Sequence, residues 1–228
     1  MALKHAPERV ERILFSRASS NHKIEIPSRI PTEHISPEAM DELVDPGVAH
    51  GGVIAKVKRP EPPELKSLAS KTSQYNGPIL VLDGITDPRN VGAIMRSALW
   101  FDVPALIVPK HHTAPITSAT VKASAGAACL LPVIQVPNLA RSLDELKAND
   151  IWIYAAMMGT NSQDVASAPL NKPAALVLGD EGRGIRPNVA KRADVQVHIP
   201  GEISPELDSL NVSVATGILL AAFYTVAA

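Results

Sequence analysis

Aromatic residues are scarce in this sequence. Two Trp, three Tyr and three Phe amount to 4% of 228 residues, so any core has to be built from Ala, Val, Ile and Leu. Cysteine is nearly absent as well. The single Cys129 excludes an intrachain disulfide and suits a reducing compartment. It lies in the apolar run from Ala125 to Leu131, where we expect it buried. Neither sign of charge is in excess: 22 Lys and Arg face 23 Asp and Glu, for a net charge of -1. That excludes a basic field over the whole protein, so any positive surface for a polyanion would have to be local. With 20% charged and 46% hydrophobic residues, intrinsic disorder is excluded too.

Other absences narrow the function classes. The most apolar stretch, residues 212–228, falls short of the ~20 residues of a membrane span and carries Ser213, Thr216, Tyr224 and Thr225. Met1 to His5 lacks the apolar centre of a signal peptide, so we expect a cytoplasmic protein that meets no membrane. The seven His form no H-x-x-x-H or H-E-x-x-H pair, and no metal is expected. No G-x-G-x-x-G follows the first predicted strand, which weighs against a nicotinamide-dependent oxidoreductase. The Lys-Ser/Thr of a P-loop is missing also.

What is present falls into three parts. Residues 1–58 hold few apolar runs. Arg59-Pro-Glu-Pro-Pro63 opens a polar linker over 59–76, with one short helix predicted at 63–70. The main domain spans 77–228. Its apolar runs at 78–82, 104–108, 131–136, 151–156, 174–178 and 195–199 have strand length. Helical patterns at 92–101, 139–148 and 212–226 alternate with them. Continuous apolar strands between helices predict an α/β fold, a mostly parallel sheet covered on both faces. Upstream, Lys4, Arg9, Arg12, Arg17, Lys23 and Arg29, with the knot Lys56-Val-Lys58-Arg59, are either solvated surface charge or phosphate contacts. The acidic stretch 33–45 breaks up any basic face.

Three tracts carry chemistry, and each has a plain structural reading beside the functional one. In Asp83-Gly-Ile-Thr-Asp-Pro-Arg-Asn-Val-Gly-Ala-Ile-Met-Arg96, Asn90 stands where a helix N-cap would stand. Arg96 needs an anion, either a structural carboxylate or an RNA phosphate. In Leu176-Val-Leu-Gly-Asp-Glu-Gly-Arg-Gly184, an apolar strand enters a glycine-rich loop. That is a tight turn, or a site where backbone approaches a ligand at a strand's carboxyl end. In Ser209-Leu-Asn-Val-Ser-Val-Ala-Thr-Gly217, Ser209 or Asn211 caps the last helix or holds an edge of substrate or cofactor. His111-His112 is expected exposed in a loop. The segment 113–120 is expected to be a mobile loop near substrate.

Taken together, the tracts resemble the motifs of the SpoU/TrmH family of RNA ribose 2'-O-methyltransferases. Asn90, Gly92, Arg96, Gly179, Glu181, Gly184, Ser209, Leu210 and Asn211 stand at matching positions in the same order. The likeness covers 77–228 and is nearest to the members that methylate a guanosine ribose of 23S ribosomal RNA. It implies a C-terminal trefoil knot, an L30e-like substrate-binding region that is shortened over 1–58, and S-adenosylmethionine as methyl donor. By that match, Leu178, Gly179, Gly184, Ile199 and Leu210 bind the cofactor. Arg96, Asn90, Glu181, Ser209 and Asn211 are catalytic. Arg96 engages phosphate and promotes loss of the ribose proton. The resemblance also implies a homodimer with the site near the subunit interface. The small residues Ala215, Gly217, Ala221 and Ala222 would suit helix contact there, or a tight core within one chain. Ribosomal RNA is the expected partner. The tRNA analogue and a non-catalytic RNA-binding protein of the same fold are the alternatives. Around 201–208 the loop reads about two residues longer than in the ribosomal enzymes, with Gly201 in place of Met.

Overall fold

A computed structural model describes residues 1–17, 24–202 and 209–225. Lys23, Val226 and positions 203–208 of the long loop lie outside the described residues. The chain begins with α1 (Ala2–His5), β1 (Val10–Ser16), β2 (Thr32–Ile35), α2 (Pro37–Asp41) and β3 (Val53–Val57). β1 pairs in parallel with β2 and antiparallel with β3, giving a three-stranded sheet of order β2-β1-β3. Val10, Ile13 and Ile30 form its small core. Few apolar runs upstream of residue 60 did not mean few strands.

α3 (Leu65–Lys71) follows, close to the helix predicted at 63–70. Then come β4 (Ile79–Asp83), α4 (Pro88–Trp100), β5 (Leu106–Pro109), α5 (Ser118–Ala123), β6 (Val133–Val136) and α6 (Leu139–Lys147). The chain continues through β7 (Trp152–Ala156), β8 (Gln163–Asp164), β9 (Ala174–Gly179), α7 (Pro187–Ala190) and β10 (Val195–His198) to α8 (Val212–Thr225). The seven strands lie in the order β6-β5-β4-β9-β7-β10-β8, and their pairings are parallel.

Alternate residues of each central strand enter opposite cores. Leu80, Leu82, Leu176, Leu178 and Tyr154 pack with Ile94, Met95 and Ala98 of α4 and Leu219, Leu220 and Phe223 of α8. Ile79, Val81, Ala175, Val177 and Ile153 pack with Leu68 of α3 and Leu139, Leu143 and Leu146 of α6. Both faces are covered, which is why the strands read as unbroken apolar runs. Each such Leu or Ile contributes roughly 1.5–3 kcal/mol by leaving water. Tyr154 reconciles a phenol with this core by donating to the Pro169 carbonyl at 2.5 Å. Cys129 is buried as expected, and burial pushes its thiol up. No helix among the described residues is long and apolar enough to cross a membrane.

Two local expectations need correction. The N-cap of α4 is Asp87, whose carboxylate accepts the Arg89 N–H at 2.8 Å. Asn90 sits inside the first turn. Pro88 explains the shift: its fixed φ and missing N–H suit the first helical position, so the helix starts before the apolar pattern does. The segment 113–120 is not one loop. Ala114 is buried and bonded to the Ile85 carbonyl at 3.1 Å, and Ser118 begins α5 under a Thr117–Thr120 capping box.

α5 is where the N-terminal sheet's segment docks. Ser118 Oγ donates to Asp45 Oδ2 at 2.6 Å, and the Ala119 N–H donates to the same oxygen at 2.8 Å. Ser118 Oγ also accepts the Asp45 N–H at 2.6 Å. Lys122 Nζ donates to the Ala49 carbonyl at 2.7 Å. The Ser118 hydroxyl first, then the Ala119 N–H and the Thr117 hydroxyl, hold the Asp45 carboxyl below its ordinary value. A lowered carboxyl stabilises docking above its unfolded pKa, and that contribution is lost as pH falls through the folded value. Hydrogen-exchange protection of the Ala119 amide should therefore hold from pH 7 to about pH 4 and fall below it. In Asp45→Ala it should be low throughout. Protection independent of pH in the wild type would contradict the latch.

Candidate active site

The glycine loop after β9 is shaped by its own backbone. Asp180 Oδ1 accepts the N–H groups of Gly182 and Arg183, both at 3.1 Å, and the Gly184 N–H returns to the Asp180 carbonyl at 2.8 Å. Gly184 takes φ +65°, a left-handed value that favours glycine. Gly179 is required by proximity. A Cβ there would lie 2.6 Å from the Gly184 carbonyl oxygen and closer still to the Gly184 carbonyl carbon and the Ile185 nitrogen. The result is a small hairpin that projects Glu181 outward.

Glu181 gathers two tracts that are far apart in the chain. Its Oε1 accepts from Asn211 Nδ2 at 2.6 Å, the Val212 N–H at 3.1 Å and Asn90 Nδ2 at 3.2 Å. Asn211 Nδ2 also donates to Asn90 Oδ1 at 3.0 Å. Asn211 Oδ1 in turn accepts the Ser213 N–H at 3.0 Å and the Ser213 hydroxyl at 2.6 Å, so Asn211 rather than Ser209 caps α8. The Ser213 N–H, which can only donate, fixes the Asn211 amide, and the Glu181 carboxylate, which accepts, fixes that of Asn90. One carboxylate locks the starts of α4 and α8 together.

Beside this network lies a cavity of about 380 Å³ at the carboxyl ends of β7, β9 and β10. Leu178, Ile199, Leu210 and Leu219 give it apolar walls, while Gly179 and Gly184 line it without side chains. Glu181 and Ser209 stand at its edge. Every residue predicted to bind cofactor, Leu178, Gly179, Gly184, Ile199 and Leu210, lines this one cavity. Asn90 and Asn211 reach it only through Glu181. The volume and the mixture of apolar wall with a few polar groups suit a nucleoside-sized ligand.

Arg96 stands apart. It is exposed and makes no hydrogen bond or ion pair among the described residues, so the structural ion pair open to it from sequence is not formed. Six residues separate it from Asn90, which turns it roughly 120° away around the helix axis. It shares its face instead with Trp100, one turn on and 83% exposed. On α8, Val214, Ile218 and Tyr224 are also exposed.

Sequence reasoning missed several members of the site. Met157 and Met158 after β7 line the cavity, as do Asp180, Glu202 and Ala215. The signal for the two Met was available: they follow a strand whose carboxyl end points to the ligand edge of an open sheet. The sequence alone gives Asp83 no role. Its fully buried carboxylate accepts the Arg186 N–H at 2.9 Å and the Arg186 guanidinium at 2.7 Å. Among the described residues no cluster of three His, Cys, Asp or Glu could hold a metal ion.

Comparison with known proteins agrees with this geometry. Residues 77–221 match the model of the SpoU rRNA Methylase family. The chain is 39% identical to the 23S rRNA (guanosine-2'-O-)-methyltransferase RlmB of Xylella fastidiosa, over 96% of this chain and 90% of that one. Among solved structures, a TrmH-family protein from Porphyromonas gingivalis superposes with a TM-score of 0.71 at 28% identity, covering 95% of this chain and 83% of its own. The SpoU methyltransferase AviRb from Streptomyces viridochromogenes, solved with AdoMet, has the same fold. Its TM-score is 0.77 at 24% identity, over 98% of this chain and 85% of that one.

Proposed function

Because the chain belongs to the SpoU rRNA methylase family, we propose that it is an enzyme that methylates a ribose 2'-hydroxyl of RNA, a guanosine of 23S ribosomal RNA, with S-adenosylmethionine as donor. The observation that carries this reading is the hydrogen-bonded set Asn90, Glu181 and Asn211 at the mouth of a glycine-walled cavity. The cavity's apolar walls accept an adenine ring, and Gly179 and Gly184 allow backbone groups to approach its edge. Bound S-adenosylmethionine supplies an electrophilic methyl group on a sulfonium, so no metal is needed.

The chain's own residues have to bind and orient the ribose and manage one proton. A 2'-hydroxyl is a weak acid, so it attacks well only when its proton is drawn off or its developing negative charge is stabilised. Arg96 has no hydrogen-bond or ion-pair partner among the described residues, and its role is to hold the RNA phosphate and favour the deprotonated hydroxyl. Asn90, Glu181, Ser209 and Asn211 orient the ribose against the methyl donor. Their mutual bonds keep that geometry in place before substrate arrives, and positioning supplies much of the acceleration.

The remaining parts of the reading follow from the same membership. Residues 1–58 form the RNA-binding unit, 59–76 the linker, and 77–228 the catalytic domain. The C-terminal part is knotted, as membership of the family implies. The protein works in the cytoplasm as a homodimer. The exposed Trp100, Val214, Ile218 and Tyr224 support an apolar face for a second copy; a monomer in sedimentation equilibrium at micromolar concentration would remove that part.

The deciding experiment is transfer of tritiated methyl from S-adenosylmethionine to total bacterial RNA, with mapping of the labelled nucleotide. Label on a ribose of 23S rRNA is expected. Label only on tRNA would move the substrate, and no label in either RNA would overturn the enzyme reading.

A further inference from the structure

A second cavity, of about 320 Å³, opens at the carboxyl ends of β5 and β6. Its wall carries His111 and His112 after β5, Asn138 before α6, and Arg186 and Asn188 beyond the glycine loop. Pro109 gives it an apolar surface, and among the described residues no carboxylate lines it. We infer that this cavity takes an unpaired nucleobase of the RNA, adjacent to the nucleotide being methylated. The inference rests on the proposed RNA methyltransferase activity.

Four observations support it. First, Arg186 is held rigidly. Its backbone N–H, Nε and Nη2 all bond the buried Asp83 carboxylate. That leaves Nη1 without a partner among the described residues, while the guanidinium's charge is met by Asp83. The wall is thus a hydrogen-bond donor surface more than an anion trap.

Second, the two amides are fixed in the same sense. Asn138 Oδ1 accepts the Arg141 N–H at 3.1 Å, and Asn188 Oδ1 accepts from Arg192. Each keeps its NH2 group for a ligand. Donors of this kind suit the acceptor-rich edges of bases, such as purine N7 and O6 or pyrimidine O2 and O4.

Third, the backbone at the wall is strained. His112 takes φ 59°, a left-handed value uncommon for residues other than glycine, and such strain clusters at binding sites. The exposed imidazoles offer the flat surfaces on which unpaired RNA bases stack.

Fourth, the position is right for a neighbouring nucleotide. β4 pairs Asp83 with Gly179 of β9. Gly179 lines the first cavity, while Asp83 holds Arg186 in the wall of the second. The two cavities therefore lie on either side of that strand step, along one edge of the sheet.

The test uses the full chain and deproteinised bacterial 23S rRNA, comparing wild type with His111→Ala/His112→Gly. Glycine at 112 removes the imidazole and tolerates the left-handed backbone. Affinity for the rRNA is expected to fall about tenfold to hundredfold, as for loss of a base stack. The slope of log affinity on log salt should be unchanged, and so should melting temperature and S-adenosylmethionine affinity. If the double variant melts early, Asn188→Ala reads the same wall from an exposed side chain. Unchanged rRNA affinity overturns the inference. So does a fall accompanied by a salt slope reduced by about 1, which marks a phosphate contact, and so does a wild type that fails to bind the rRNA. Wild type that binds the rRNA without methylating it would overturn the activity instead, leaving the affinity difference to judge the cavity.

Discussion

Arg96→Ala is expected to lower methyl transfer by a factor of about 10²–10⁴ while leaving the melting temperature and S-adenosylmethionine affinity unchanged. The separation of effects follows from where the side chain lies. Arg96 is exposed on α4, bonded to nothing among the described residues, and absent from the lining of the cavity beside Glu181. A surface residue without partners contributes within about 0.5 kcal/mol to stability, and alanine improves helix propensity. A large loss of turnover therefore has to come from what Arg96 does to the bound RNA. Single-turnover kinetics with 23S rRNA, set beside calorimetric titration of S-adenosylmethionine, make the measurement. Wild-type turnover by this variant would remove Arg96 from the mechanism.

Gly179→Val should have the opposite signature, in that the cofactor is lost first. Any Cβ at 179 meets the Gly184 carbonyl oxygen at 2.6 Å, with two more backbone atoms nearer still. Backbone cannot swing aside as a flexible side chain can. The hairpin must open, breaking the Gly184 N–H bond to Asp180 and moving Glu181 away from Asn211. We expect S-adenosylmethionine affinity to weaken at least about 100-fold, or about 2.7 kcal/mol. Gly184→Ala is the control. Its Cβ meets nothing within 4 Å, so it adds left-handed backbone strain without a clash. Equal losses in the two variants would show that the close approach at 179 is not what sets cofactor affinity.

The contrast between these residues shows what a sequence can and cannot convey. β4, β7 and β9 were legible because burial on both faces leaves no polar interruption, as in Ile79-Leu-Val-Leu82 and Ala174-Ala-Leu-Val-Leu178. β1 and β2 were not. β1 shifts register between Val10 and Arg12, and Thr32-Glu-His-Ile35 has no buried residue at all. Those strands exist through their partners, not through their own pattern. Asp87-Pro88 was a readable helix start that the apolar pattern of 92–101 obscured. The five cofactor-site positions were named by likeness of motif, and the fold then brings them to one cavity. The bonds of Glu181 to Asn90 and Asn211 span 91 and 30 residues, and those of Asp83 to Arg186 span 103. No local spacing encodes such contacts. The docking of Asp45 on Ser118, at the first residue of α5, is hidden for the same reason.

The strand order has a consequence for synthesis. β4 and β7 are separated in the sheet by β9, which the chain reaches only at Ala174–Gly179. While the polypeptide leaves the ribosome, the backbone edges of β4 and β7 emerge before the strand that joins them. Leu80 on one and Tyr154 on the other wait for Leu176 to close the seam. A nascent chain stalled before residue 174 would present two unsealed, strongly apolar strand edges, the feature that recruits chaperones and seeds aggregation. The same late insertion precedes the loop that bears Glu181, so the bonds of Glu181 to Asn90 and Asn211 form only after the central seam is filled.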